Sequence, residues 1–280
     1  IKGSIVVNDR METSVPDIYA AGDAVQVKHY VTGDDALISL AGPANKQGRI
    51  IADNICGGDS HYLGSQGSSV IKVFDMTAAT TGINETNAKK SGLEVDTVIL
   101  SPMSHAGYYP GGKVMTMKVV FEKETYRLLG AQIIGYEGVD KRIDVLATAI
   151  HAGLKATQLK DLDLAYAPPY SSAKDPVNMA GFMIDNIAKG TLKQWHLEDM
   201  DKISKDKNVV LLDVRTVGEF NRGHMKGFNN IPVDELRERI SEIEKGKPVY
   251  LICQSGLRSY IASRILEGNG YETYNFSGGF

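Results

Sequence analysis

The stretch VYLICQSGLRS, residues 249–259, sets a cysteine between an apolar run and a glycine-containing turn, with an arginine five residues further on. A strand that runs into a loop and then a helix points several backbone N–H groups at one spot. The helix N-terminus adds partial positive charge there. Such a cradle favours a thiolate over a thiol, so Cys253 is a candidate nucleophile. Gly256 lets the loop turn tightly with no side chain at its mouth. Arg258 either adds charge to the rim or braces the loop from behind. The competing reading is a small buried hydrophobe at a strand end. Two other places carry residues suited to chemistry. Gly22 and Asp23 stand at the end of a short apolar stretch. SHAGYYPGG (104–112) and LAYAPPYSSAKDP (164–176) carry tyrosines beside turn residues.

The composition bounds what these residues can serve. The chain has 280 residues, with 42% hydrophobic and 23% charged, which is ordinary for globular protein and enough for more than one domain. Thirty-one Lys and Arg against 34 Asp and Glu give a net charge of −3, so nothing in the charge balance argues for nucleic acid. No apolar run approaches the roughly 18 residues of a membrane span. Two cysteines, Cys56 and Cys253, lie far apart and form no CxxC pair, which speaks for a reducing compartment and makes the cytoplasm the expected location. No metal site is expected. The opening IKGSIVVNDRM lacks a start methionine and reads as the interior of a sheet, so a longer polypeptide is expected.

Three regions must position the candidates, at 1–63, 64–190 and 191–280. In the first, DIYAAGDA reads as a short buried strand over 18–21, and AGPANKQGRIIADNICGG as a helix closed by two glycines. Cys56 sits at that helix end without a prepared cradle and reads as structural. GSQGSS (64–69) looks like a linker. The second region has strands at SVIKVF and EVDTVIL with a helix at NETNAKKSG between them. A hairpin of KVMTMKVVF and RLLGAQIIG follows, then helices at VDKRIDVLATAIHAG and KDPVNMAGFMIDNIAKG. His105 has no partner by spacing, and His61 and His151 read as surface or packing residues. In the third region buried-type strands VVLLDVR, PVYLIC and ETYNFSGG alternate with helices expected at VDELRERISEI and RSYIASRILEGNG. That alternation implies a small parallel α/β domain.

The surroundings of Cys253 add a resemblance. LLDVRTVGEFNRGHMKGFNNIP upstream and NFSGGF downstream make residues 191–280 resemble the rhodanese family. The resemblance runs through Asp213, Arg215, Glu219, Phe220, Gly223, His224, Gly227, Asn230, Pro232 and the Ser277-Gly-Gly279 turn. It implies that Cys253 accepts a sulfane sulfur as a persulfide, held by the loop Gln254, Ser255, Gly256 and Leu257. Asp213, Arg215 and His224 are expected to brace the fold. Related phosphatases have a cysteine loop one residue longer, so the spacing of Cys253 to Arg258 points to sulfur transfer.

TSVPDIYAAGDA (13–24) resembles the second flavin motif of the flavoprotein disulfide reductases, and AGPANKQGR (41–49) the helix that faces the isoalloxazine. The resemblance implies FAD, with Gly22, Asp23, Ala24, Gly42 and Pro43 as its contacts and NAD(P)H as electron donor. Residues 64–190 resemble the dimerisation domain of the same enzymes and imply a homodimer. The family's His-Glu pair is replaced by the tyrosine segments, which resemble the coenzyme A-disulfide reductase branch. Tyr108 and Tyr166 would then donate a proton or hydrogen bond to a leaving CoA thiolate, with Tyr109 and Tyr170 as alternatives one register away. No GxGxxG follows a strand anywhere, so the main pyrophosphate-binding fold, the nucleotide domain and the redox cysteine are absent from these residues.

The expected fold class is α/β and α+β: the tail of a flavin-binding domain, an α+β dimerisation domain and a rhodanese-like parallel α/β domain. The expected function is flavin-dependent NAD(P)H:CoA-disulfide or CoA-persulfide reduction coupled to sulfur transfer at Cys253. The alternatives are NAD(P)H-dependent polysulfide or persulfide reduction, a reductase with a non-catalytic rhodanese docking module, and an interaction fragment without flavin.

Overall fold

The computed structural model describes residues 1 and 3–280. The first segment makes a small sheet of β1 (Ile5–Val6), β2 (Val25–Lys28) and β3 (Asp35–Ala36). β1 and β2 run parallel, and β3 is antiparallel to β2. Met11, Val25 and Val27 are buried against Ile50 and Ile51 of helix α1 (Ala41–Ile55), which is how these short strands are held. The expected buried strand over 18–21 is not formed. Glu12 and Tyr19 make an isolated bridge, Ile18 is exposed, and residues Gly22–Ala24 form a single 3-10 turn. With only one bridging residue on each side, that segment has no second ladder to make it a strand.

The stretch expected as a linker is stitched down. Ser65 bridges His29, Tyr30 N donates to Ser65 O, and Gly82 N donates to Gln66 O. A five-stranded sheet follows, built from β4 (Ser69–Val73), β5 (Met76–Gly82), β6 (Val95–Leu100), β7 (Thr116–Glu122) and β8 (Leu128–Gly135) in the order β4-β5-β8-β7-β6. Helix α2 (Glu85–Lys90) is capped by Asn84, whose side chain accepts from Asn87 N. α3 (Val139–His151) packs on β5 and β8 through Ile143, Leu146 and Ile150. Contacts divide the chain through β6 and β7. One unit holds residues Ile1–Asp96 and Val119–Leu154, the other Thr97–Lys118 and Lys155–Phe280.

In the second unit α4 (Pro176–Ala188) starts at Pro176 with Asp175 as N-cap, its carboxylate accepting from Val177 N. The remainder is a parallel sheet ordered β11-β10-β12-β13-β9: β9 (Gln194–Trp195), β10 (Val210–Asp213), β11 (Asn229–Asn230), β12 (Val249–Ile252) and β13 (Thr273–Phe276). The helices α5 (Met200–Ile203), α6 (Val217–Arg222) and α7 (Leu257–Gly268) connect these strands.

Period-two alternation sends Val249 and Leu251 of β12 into one apolar cluster with Ala262 and Leu266 of α7. Ile252 enters the other, with Trp195, Phe228 and Phe276. The helix expected over 233–243 is instead a run of turns ending in a 3-10 turn at Ile240–Glu242. Leu236, Ile240 and Ile243 all point into the first cluster. Successive three-residue hydrogen bonds such as Glu235 N to Pro232 O and Glu242 N to Arg239 O wind the chain tightly enough to allow that. Among the described residues no helix is long and apolar enough to cross a membrane, and no His, Cys, Asp and Glu cluster is placed to hold a metal.

Candidate functional site

Cys253 follows the last residue of β12 and is completely buried, on the face that meets α7. Its Sγ accepts the Gly256 N–H at 3.1 Å and the Ser259 hydroxyl at 3.2 Å. Gly256 reaches that position with φ of 89°, in the region that a side chain disfavours. Its carbonyl accepts from Asn275 Nδ2 at 3.4 Å and, 3.1 Å from Ser259 Oγ, competes with Sγ for the one hydroxyl proton of Ser259. Two donors and the α7 N-terminus therefore converge on one sulfur, which an inert core cysteine does not require. Gln254 and the tail of the chain lie over the loop: Gln254 Nε2 donates to Phe280 O, and Phe280 N to Cys253 O. Ser255 and Leu257 complete the loop, with Leu257 exposed.

Arg258 leaves the loop for a distant carboxylate. Its Nη1 and Nη2 donate to the two oxygens of Glu219, each at 2.7 Å. Glu219 sits in the first turn of α6 as the third residue of a capping box, accepting from Thr216 N at 2.9 Å and Thr216 Oγ1 at 2.8 Å. The Arg258 guanidinium, followed by the Thr216 donors, holds the Glu219 carboxyl well below the usual carboxylate range against the opposing cost of burial. Glu219 in turn raises the Arg258 pKa through their hydrogen bonds, against the opposing cost of burial.

Beneath, Arg215 and Asp213 form a second pair at 2.7 Å, both essentially inaccessible to water. Phe280 lies over Arg215 at 3.9 Å, and Asn230 ties the carbonyls of Asp213 and Arg215. His224 stacks on Phe220 at 3.8 Å.

The tyrosine segments also meet. Tyr108 and Tyr166 hydroxyls are 2.8 Å apart on an exposed surface, with 77% and 46% of each residue accessible. The hydrogen bond to Tyr108 raises the Tyr166 pKa first, with desolvation second. Tyr109 is turned the other way, edge-on to His105 at 5.6 Å, and Tyr170 is exposed. His105 is therefore not partnerless: it is buried, packs on Tyr109 and has Nδ1 3.1 Å from Ala106 O.

The Gly22–Ala24 turn packs against α1. Gly22 N donates to Gln47 Oε1 at 2.7 Å, while Asp23 and Ala24 are exposed. The N-terminus of α1 has no side-chain cap and no acidic residue in its first turn, and the space beside Gly42 is open next to Pro43. Free N–H groups beside an exposed carboxylate fit part of a flavin site, the former for electron-rich ring atoms and the latter for a hydroxyl chain. Cys56 is exposed at the C-cap of α1, with no packing role visible. His61 bonds Asp9 and Asp59 at the surface, and His151 stacks on Tyr30.

Ser259, Glu219, Thr216, Asn275 and Gln47 are among the residues of these constellations to which the sequence assigned no role. Ser259 was the most legible, because a hydroxyl next to the arginine falls in the first turn of the helix behind the cysteine.

Residues 68–176 match the dimerisation domain of the pyridine nucleotide-disulphide oxidoreductases, and residues 196–280 match the rhodanese-like domain. Over all of its length the chain is similar to reduced CoADR-RHD of Bacillus anthracis, 48% identical with a TM-score of 0.95 and covering 50% of that chain. It is similar over 99% of its length to an NAD-dependent persulfide reductase from A. fulgidus, 42% identical with a TM-score of 0.89, again covering 50% of that chain. Over 182 residues, 65% of this chain, it is 38% identical to the coenzyme A disulfide reductase of Staphylococcus epidermidis, covering 41% of it. The chain thus spans half or less of the length of these relatives.

Proposed function

We propose the following for a chain that carries the dimerisation domain of the pyridine nucleotide-disulphide oxidoreductases followed by a rhodanese-like domain. It serves a homodimeric, flavin-dependent NAD(P)H:CoA-disulfide or CoA-persulfide reductase in which Cys253 carries sulfur as a persulfide. The observation that supports the carrier role is the pair of donors on one sulfur, Gly256 N–H and Ser259 O–H, at the N-terminus of α7. They stabilise negative charge on Sγ before attack, and the backbone N–H groups at the start of α7 then face the outer sulfur of the persulfide.

Gly22, Asp23, Ala24, Gly42 and Pro43 are the residues of this chain that would hold FAD. A bound flavin would supply two-electron transfer from nicotinamide to a sulfur–sulfur bond. Tyr108 and Tyr166 are placed as a hydrogen-bonded pair whose shared proton can be offered to a departing thiolate. Joining the two functions in one chain raises the concentration of one site's product at the other. Persulfide reduction as the main activity is a second reading, favoured by the likeness of nearly the whole chain to a persulfide reductase.

The test is sulfur loading and transfer by wild type and Cys253→Ser, read as one added sulfur on the protein and as thiol released from an alkyl persulfide. Loss of loading in Cys253→Ser with disulfide reduction retained is the expected result. Unchanged sulfur flux in that variant makes the rhodanese domain a docking module.

A further inference from the structure

We infer that Glu219 sets which sulfur donors Cys253 accepts. By neutralising Arg258 it leaves a site selective for sulfur carried on an organic thiol over oxyanion donors such as thiosulfate. The inference rests on the reading of Cys253 as a sulfur carrier and names the substrate class of that site.

Arg258 is the one charged residue among 253–258. An arginine at this place could bind the oxygens of a tetrahedral anion through its fork of N–H groups. Here both arms of the fork are filled by Glu219, at 2.7 Å each. The carboxylate is itself fixed by Thr216 N and Oγ1, so it cannot swing away without breaking the cap of α6. The other guanidinium near the loop, Arg215, is spent in the same way on Asp213.

The two ion pairs together carry no net charge. What remains to attract an anion is the backbone of the loop and the helix N-terminus. These suit the single charge of a thiolate or persulfide, and Sγ already uses them. Thiosulfate brings two negative charges to a loop whose own arginine is already paired with the fixed carboxylate of Glu219.

The transfer balances with either donor. The Cys253 thiolate attacks the outer sulfur of RS–SH, the S–S bond breaks, and RS⁻ leaves and takes up a proton as RSH. With thiosulfate the same attack expels sulfite. In both cases Cys253 ends as a persulfide and no external oxidant or reductant is used.

The test is a charge ladder on the full-length enzyme. Glu219→Gln leaves the pair at +1, wild type and the Glu219→Gln/Arg258→Met double variant at 0, and Arg258→Met at −1. Loading of Cys253 is followed as added sulfur, with sulfite release for thiosulfate and thiol release for an alkyl persulfide. The KM for thiosulfate is expected to fall about three- to tenfold in Glu219→Gln and to rise similarly in Arg258→Met, with the double variant near wild type. The persulfide, carrying less charge, should move less, and high salt should compress the ladder.

A purely structural role gives a different pattern, a uniform loss in all three variants with both donors. That result, or loading with no dependence on the charge of the pair, overturns this inference and leaves the carrier role standing. Failure of the wild type to load from either donor overturns both.

Discussion

At the scale of single residues, proximity and burial decide what each polar group does. The phenol pair makes a direct prediction about pH. Tyr108 raises the Tyr166 pKa above its ordinary value, so the proton is held at neutral pH and released only in strong alkali. The sign follows from linkage: stabilisation by this bond is complete below the ordinary phenol pKa and is lost as pH rises through the higher folded value. In Tyr108→Phe the Tyr166 phenolate should therefore appear at lower pH, measured as the ultraviolet difference against the double variant Tyr108→Phe/Tyr166→Phe. An unchanged midpoint removes the pair as a functional unit.

The buried ion pair makes a prediction about stability. Asp213 accepts from three nitrogens of Arg215, the backbone N, Nε and Nη2, in a site closed to water. Asp213→Ala leaves the guanidinium uncompensated and should cost about 3–5 kcal/mol, read from the urea midpoint. Breaking the exposed pair of Arg239 with Glu242 should leave the urea midpoint essentially unchanged.

At the scale of elements, close approach outweighs intrinsic propensity. Gly181 lies inside α4, where alanine is ordinarily better by about 1 kcal/mol. A Cβ there would stand 2.2 Å from Lys160 N and 2.7 Å from Leu159 C, which are backbone atoms that cannot swing aside. The 3-10 turn Ala156–Asp161 packs against α4 at this point, and Asn178 of the same helix donates to Leu159 O and Leu162 O. Gly181→Ala is thus expected to lower stability by about 1–3 kcal/mol in thermal or urea unfolding, with the overpacking term exceeding the gain in helix propensity. A stabilised variant would mean the turn moves away freely.

The same scale explains which elements were legible. β10, β12 and α7 follow from apolar runs and glycine stops, because burial on both faces of a parallel strand needs only local composition. The segment 233–243 has helical spacing of Val233, Leu236, Ile240 and Ile243, yet it winds as turns. Its apolar residues serve a core whose curvature the segment itself does not encode.

At the scale of the whole molecule, the match of residues 68–176 to a dimerisation domain predicts that the protein sediments at twice its chain mass, measured by analytical ultracentrifugation over a dilution series. Sedimentation as a monomer at micromolar concentration would remove the dimer. The sheet of that region leaves Ile71, Val73, Met76 and Ile134 exposed along paired strands, while Ala79 and Ile133 on the opposite face are buried.

What the sequence determined by itself was local: the loop from Cys253 to Arg258, the strand before it and the helix after it. Those depend on residue spacing and on glycine and apolar positions within about ten residues of one another. The tyrosine and flavin segments were legible only by resemblance, because nothing in their spacing compels a site. Only the tertiary structure decided the partners. Arg258 reaches Glu219 across 39 positions, and Tyr108 meets Tyr166 across 58. A guanidinium or phenol can pair with any of many distant groups. The choice is made when the parallel sheet and the packed loops bring one of them within hydrogen-bond reach.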